Sequence, residues 1–149
     1  MNRAKIIELA IAEVGYKETG VNITKFGERF GLQGPWCGMF ISIICLDASF
    51  PLPALGWPKG FCSVPAALKA WISSKTDDPK PADLVIFDWE KGTPKEGAAD
   101  HVGFFLGWLD WDAGLFITAE GNIQNEAKVC IRNTKHVAAF LNISTLKNT

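Results

Sequence analysis

Three side chains in this sequence can be read as one chemical unit. Cys37 follows Gly34-Pro35-Trp36, where a turn meets a long apolar run. If that run is a helix, Cys37 stands at its N-terminus, among unpaired N–H groups and at the positive end of the dipole. A thiolate is stabilised there, more so with a cationic partner. The same N–H groups can hold an oxyanion during acyl transfer. Cys45 lies mid-run on an apolar face and reads as a core thiol. Cys62 and Cys130 read as reduced core or near-surface thiols.

His101 opens the stretch His101 to Leu109, in which Val102, Phe104, Leu106 and Trp108 alternate as one strand face. His101 falls on the opposite parity, with Gly103 and Gly107 leaving room beside it. Alone it reads as a strand-end histidine, and Glu120 alone as a solvated carboxylate. The register joins them. A hairpin centred between residues 110 and 111 sets His101 against Glu120 on one face, because the side-chain period is two. A carboxylate beside an imidazole orients it and stabilises the imidazolium. Asn122, just beyond, can add a hydrogen bond.

These groups need a scaffold. Ile7, Ala10, Ile11 and Val14 recur at helical spacing over residues 3–14, and Gly15 is a stop. A short helix is predicted over residues 23–30, then a buried helix from Cys37. Ile41, Ile43 and Ile44 leave a strand open as the alternative there. Ser63 caps a helix over 64–73. From Leu84 the period changes to two. Strands are predicted at 84–87, 101–109, 115–120, 128–133 and 137–143. Helices first and an antiparallel sheet after make an α+β class.

The chain has 149 residues, which suits one domain. Fifteen Lys and Arg against sixteen Asp and Glu give a net charge of −1, without the basic surplus of a nucleic-acid binder. No apolar stretch approaches the ~20 residues of a membrane span. Glu8 and Glu13 break any signal-peptide core, so synthesis in the cytoplasm is expected. Without a secretory signal the four cysteines do not read as a disulfide framework. No CxxC occurs and His101 and His136 lie far from any cysteine pair, so neither a metal nor another cofactor is expected. His136 reads as a solvated turn residue and Asp83 as a turn-tying acid. Six tryptophans are unusual; Trp36, Trp57 and Trp111 are candidates to line a groove for sugar or peptide, with Trp71 and Trp108 assigned to the core.

Four blocks together carry a resemblance: Pro35-Trp36-Cys37-Gly38-Met39-Phe40, Pro81-Ala82-Asp83-Leu84-Val85-Ile86-Phe87-Asp88-Trp89, Asp100-His101-Val102-Gly103 and Glu120-Gly121-Asn122. With the upstream Gly15-Tyr16-Lys17-Glu18, they resemble the CHAP domain, within the NlpC/P60-type papain-like cysteine peptidases and amidases. The resemblance spans roughly residues 5–133. It implies a papain-like α+β fold over a single catalytic domain, 1–149, with N-terminal helices packed on an antiparallel sheet. Cys37, His101, Glu120 and Asn122 would be its catalytic set. Two departures stand out: Ala82 occupies a position where the family has Gly, and Glu28 is the one acid in residues 19–36, where some members carry a calcium-binding run.

The resemblance further implies cleavage of an amide bond in bacterial cell-wall peptidoglycan, in the manner of a phage endolysin. Such a protein acts on the wall as a monomer. It reaches its substrate through a holin-type pore or, as a secreted effector, travels with an immunity partner. Other readings are a catalytically silent wall-binding or virion module, and a papain-like acyltransferase. Selectivity between amidase and endopeptidase cleavage would lie in loops 50–62 and 90–100.

Overall fold

A computed structural model describes residues 1–147. Four α-helices lead: α1 (Arg3–Ala12), α2 (Lys25–Phe30), α3 (Cys37–Asp47) and α4 (Val64–Trp71). Six strands follow: β1 (Lys75–Thr76), β2 (Leu84–Phe87), β3 (His101–Asp110), β4 (Leu115–Ile123), β5 (Glu126–Asn133) and β6 (Val137–Leu141). They form one antiparallel sheet in the order β1-β6-β2-β3-β4-β5. The class is α+β, with the helices packed on the sheet.

Local chemistry explains the helix ends. Asn2 Oδ1 accepts from the Lys5 N–H, Thr24 Oγ1 from Gly27 and Ser63 Oγ from Ala66. Gly31 closes α2 in the left-handed conformation, at φ 101°. Every residue of α3 from Cys37 to Cys45 is buried. A segment apolar all round makes a central helix, and its β-branched isoleucines yield to that burial rather than forming a strand.

The sheet has a core on each face. Leu84, Ile86, Val102, Phe104 and Ala119 pack beneath the helices with Phe40 of α3. Val85, Phe87, Phe105, Phe116, Val137 and Phe140 build a second, aromatic cluster on the other face. β4 comes so close to α3 that a β-carbon on Gly121 would lie 2.6 Å from Phe40 Cβ. Asp83 is buried and accepts from the Lys80 and Ile143 N–H groups and from Arg3, tying a turn and both ends of the chain together.

Four expectations need correction. In α1 the buried positions are Ile6 and Ala10, whereas Ile11 and Val14 are exposed. Trp108 does not share the face of Val102 and Phe104. Shifts in the β3–β4 register at residues 105–107 and 108–110 put it with Phe105, Phe116 and Phe140 on the aromatic face. The same shifts move the hairpin register near His101, so that Phe104 pairs Ala119. The parity stays odd there, and His101 and Glu120 still share a face. Finally, His136 is half-buried, edge-on to Trp89, rather than solvated.

Candidate active site

The start of α3 supplies Cys37. Unlike the other α-helices among the described residues, α3 has no side-chain N-cap; Trp36 holds that position without bonding to the first turn. Those N–H groups are therefore left for something else. Phe61 is bound to Ser42 twice: its N–H donates to Ser42 Oγ at 3.0 Å, and Ser42 donates to its carbonyl at 2.9 Å. The 57–62 segment is thereby held on α3, and Cys62 comes close enough to Cys37 for their charges to interact. Burial, ahead of that interaction, pushes the Cys62 thiol up.

The start of β3 supplies His101, and β4 supplies Glu120. His101 Nε2 lies 2.8 Å from Glu120 Oε1. A carboxylate only accepts, so Nε2 carries the proton in this pair, and Nδ1 is free to face another group. Cys37 lies near enough to the ring to raise the imidazole's pKa. Burial acts to lower the His101 pKa, but Cys37 and Glu120 outweigh it and lift the value from 6.5 to about 9. Both Cys37 and His101 are nearly covered, 7% and 6% exposed.

Glu120 is wholly buried and has four donors. Besides His101, Arg132 of β5 donates from Nε to Oε2 at 2.8 Å and from Nη2 to Oε1 at 2.6 Å, and the Thr118 hydroxyl donates to Oε2. Burial opposes ionisation, yet Arg132 and His101 prevail and hold the carboxyl at about 2. Phe87 and Trp89 stack on each other and lie beside His101, each with ring centroids 5.9 Å away, and the Arg132 guanidinium lies 4.9 Å from the Trp89 ring and 5.5 Å from Phe87. Trp89 is fixed in turn by Asp100, whose carboxylate accepts its backbone N–H at 2.8 Å.

Cys37, His101 and Glu120 thus meet. Asn122 is not among the groups that bond Glu120, and it occupies a left-handed position, φ 64°, in the irregular end of β4. Trp36 is fully buried, stacked on Phe26, and offers no surface for a sugar or peptide. Trp111 is exposed at 70%, but it stands at the opposite end of β3 from His101. At ~3.3 Å per residue that is roughly 30 Å away. Trp57 is the one of the three near the cysteine: it packs on Phe30 and acts to lower the Cys62 pKa, against burial.

No family model matches the chain, nor does any curated protein. Among solved structures it is similar to a Staphylococcus aureus protein of the NLP/P60 family, described as similar to a lipoprotein, with a TM-score of 0.48 and 11% identity. That likeness covers 95% of this chain and 41% of the staphylococcal one. The chain therefore spans about two-fifths of that protein's length.

Arg132, Thr118 and Trp89 complete the site without having been singled out for it. Thr118 lies two residues before Glu120 on the same face, a signal the alternation contains. Arg132 depends on the β4–β5 hairpin, whose two central residues, Gln124 and Asn125, both have positive φ. A cleft of about 510 Å³ opens elsewhere, between Tyr16, Thr24, Gly31 and Gln33, and contains neither Cys37 nor His101. Among the described residues, no cluster of three or more His, Cys, Asp or Glu could hold a metal ion.

Proposed function

We propose that this protein hydrolyses an amide bond in the peptide part of peptidoglycan through a covalent intermediate on Cys37. The observation that carries the reading is the buried Cys37–His101–Glu120 chain at an uncapped helix start. The substrate class rests on the four sequence blocks that resemble the CHAP domain, and a setting in phage lysis rests on the same resemblance.

In this mechanism His101 Nδ1 takes the proton of Cys37. The thiolate adds to the amide carbonyl, and the Cys37 backbone N–H donates to the oxyanion. His101 returns the proton to the leaving nitrogen, the C–N bond breaks, and a thioester remains. Water, deprotonated by His101, adds to the thioester and releases the carboxylic acid and the free thiol. Glu120 holds the imidazole in the required tautomer and balances its positive charge. Asn122 has only a supporting part. The helix dipole favours the negative sulfur at each stage.

The test is digestion of purified peptidoglycan with mass spectrometry of the released material, for wild type and Cys37→Ala together. Wild type is expected to release fragments and the variant none. Stem peptides beginning at L-Ala would identify an amidase, and shortened or un-crosslinked stems an endopeptidase. Release of nothing from walls of several cross-link types, by either protein, contradicts the reading and favours a wall-binding module or an acyltransferase.

A further inference from the structure

Arg132 reaches Glu120 from the sheet's edge strand and makes two parallel N–H···O bonds to its two oxygens, at 2.8 and 2.6 Å. The residue directly opposite Glu120 in the ladder is Lys128, not Arg132; Arg132 pairs Phe116 and crosses the face diagonally to the carboxylate. Its guanidinium lies over the Trp89 and Phe87 rings in that path, the same rings that lie beside His101. Lysine cannot reproduce a two-pronged planar contact of this kind. The carboxylate it grips is entirely buried, and a buried carboxylate without a charged partner takes up a proton.

We propose that Arg132 is a positioning residue for the Cys37–His101 pair, acting through Glu120. It keeps Glu120 an anion aimed at His101 Nε2, so that the imidazole presents Nδ1 to Cys37. The inference rests on the reading of Cys37 as nucleophile and adds a residue on a different strand to that site. The charged and titratable groups facing Glu120 are His101 of β3, Arg132 and Cys130 of β5, and Lys128 at the register position opposite; Cys37 of α3 faces His101.

Without Arg132, Glu120 is expected to protonate at higher pH, and the acid limb of the activity profile moves up with it. The experiment compares wild type, Arg132→Met, Arg132→Lys, Glu120→Gln and the Glu120→Gln/Arg132→Met double variant. kcat and KM on soluble wall fragments are measured across pH, with thermal unfolding alongside. Arg132→Met is expected to lower kcat at least tenfold, a part of the roughly 10²–10⁴-fold that a positioned acid–base supplies, with KM little changed. Arg132→Lys is expected to recover part of kcat. Adding Arg132→Met to Glu120→Gln is expected to change kcat by no more than about twofold, since the two act as one unit. A kcat loss that is undiminished in the Glu120→Gln background, or an acid limb that does not move, overturns the proposal.

A second readout is independent of turnover. The chain has two histidines, so the His101 imidazole signals can be followed by NMR. The low-pH inflection that reports Glu120 is expected to rise in Arg132→Lys, which keeps the charge and the fold if Arg132→Met does not fold. An unchanged inflection contradicts the proposal even in a protein with no activity on the wall. A raised inflection in a protein without activity upholds the Arg132–Glu120–His101 linkage and overturns the hydrolase reading alone.

Discussion

Gly103 and Glu120 face each other so closely that a β-carbon on Gly103 would lie 2.6 Å from Glu120 Cγ. The absence of a side chain at 103 is what lets the carboxylate reach His101. Glu120 cannot swing aside, because Arg132 and Thr118 hold it. Gly103→Ala is therefore expected to displace the carboxylate and to lower kcat by about 10²-fold, the scale of a 1 Å misplacement. Circular dichroism should remain that of wild type. Activity within twofold of wild type would contradict this account of Gly103.

The pH dependence of stability follows from the two opposed shifts. His101 is charged in the folded chain over a range where the unfolded chain has lost the proton. Its contribution is complete below about 6.5 and disappears as pH rises through about 9. Glu120 works in the other sense, with its contribution complete above about 4.5 and lost as pH falls through about 2. The gap in urea midpoint between wild type and His101→Gln should shrink steadily from pH 6 to 9.5. A gap independent of pH would show that His101 is not stabilised in its charged form.

Ser42 is buried and satisfies both the N–H and the carbonyl of Phe61. Ser42→Ala leaves two buried backbone groups unpaired, at a cost of about 2 kcal/mol or more. It also frees the segment carrying Trp57 and Cys62. Chemical denaturation should show the loss, and alkylation of Cys62 should become faster. Unchanged stability would mean that water replaces the hydroxyl.

Ala82 occupies the left-handed region, φ 77°, and is fully buried. An L-residue there costs roughly 1–2 kcal/mol, while the buried methyl returns about 0.8 kcal/mol. Ala82→Gly is thus expected to alter stability by less than about 1 kcal/mol. Ala82→Val should cost more than about 2 kcal/mol, since a β-branched residue at positive φ is strained and the site is full. Equal stability of the two variants in urea would contradict this reading of the turn.

Much of the fold is legible in the sequence, because its signals are local. The Gly-Pro turn before Cys37, the Ser63 cap and the alternation after Leu84 each act within a few residues, and the elements appear where those signals stand. The pairing of His101 with Glu120 is legible for a related reason: the two irregularities each add one residue to β3 alone, so the parity flips twice and stays odd near His101. What is hidden depends on distance in the chain. The face of Trp108 is set by the irregular register of β3, and the burial of Trp36 by Tyr16, Phe26 and the close approach of Gly121. Arg132 reaches Glu120 diagonally across two strands, a geometry that neither spacing nor parity encodes.

The central claim is that Cys37 carries the acyl group. The most direct measurement is acid quenching of wild type during turnover of wall fragments, followed by peptide mass spectrometry of the four cysteines. A thioester adduct is expected on the Cys37 peptide, absent from Cys37→Ala and from unreacted protein. Product formation by Cys37→Ala, or an adduct confined to Cys45, Cys62 or Cys130, would contradict it.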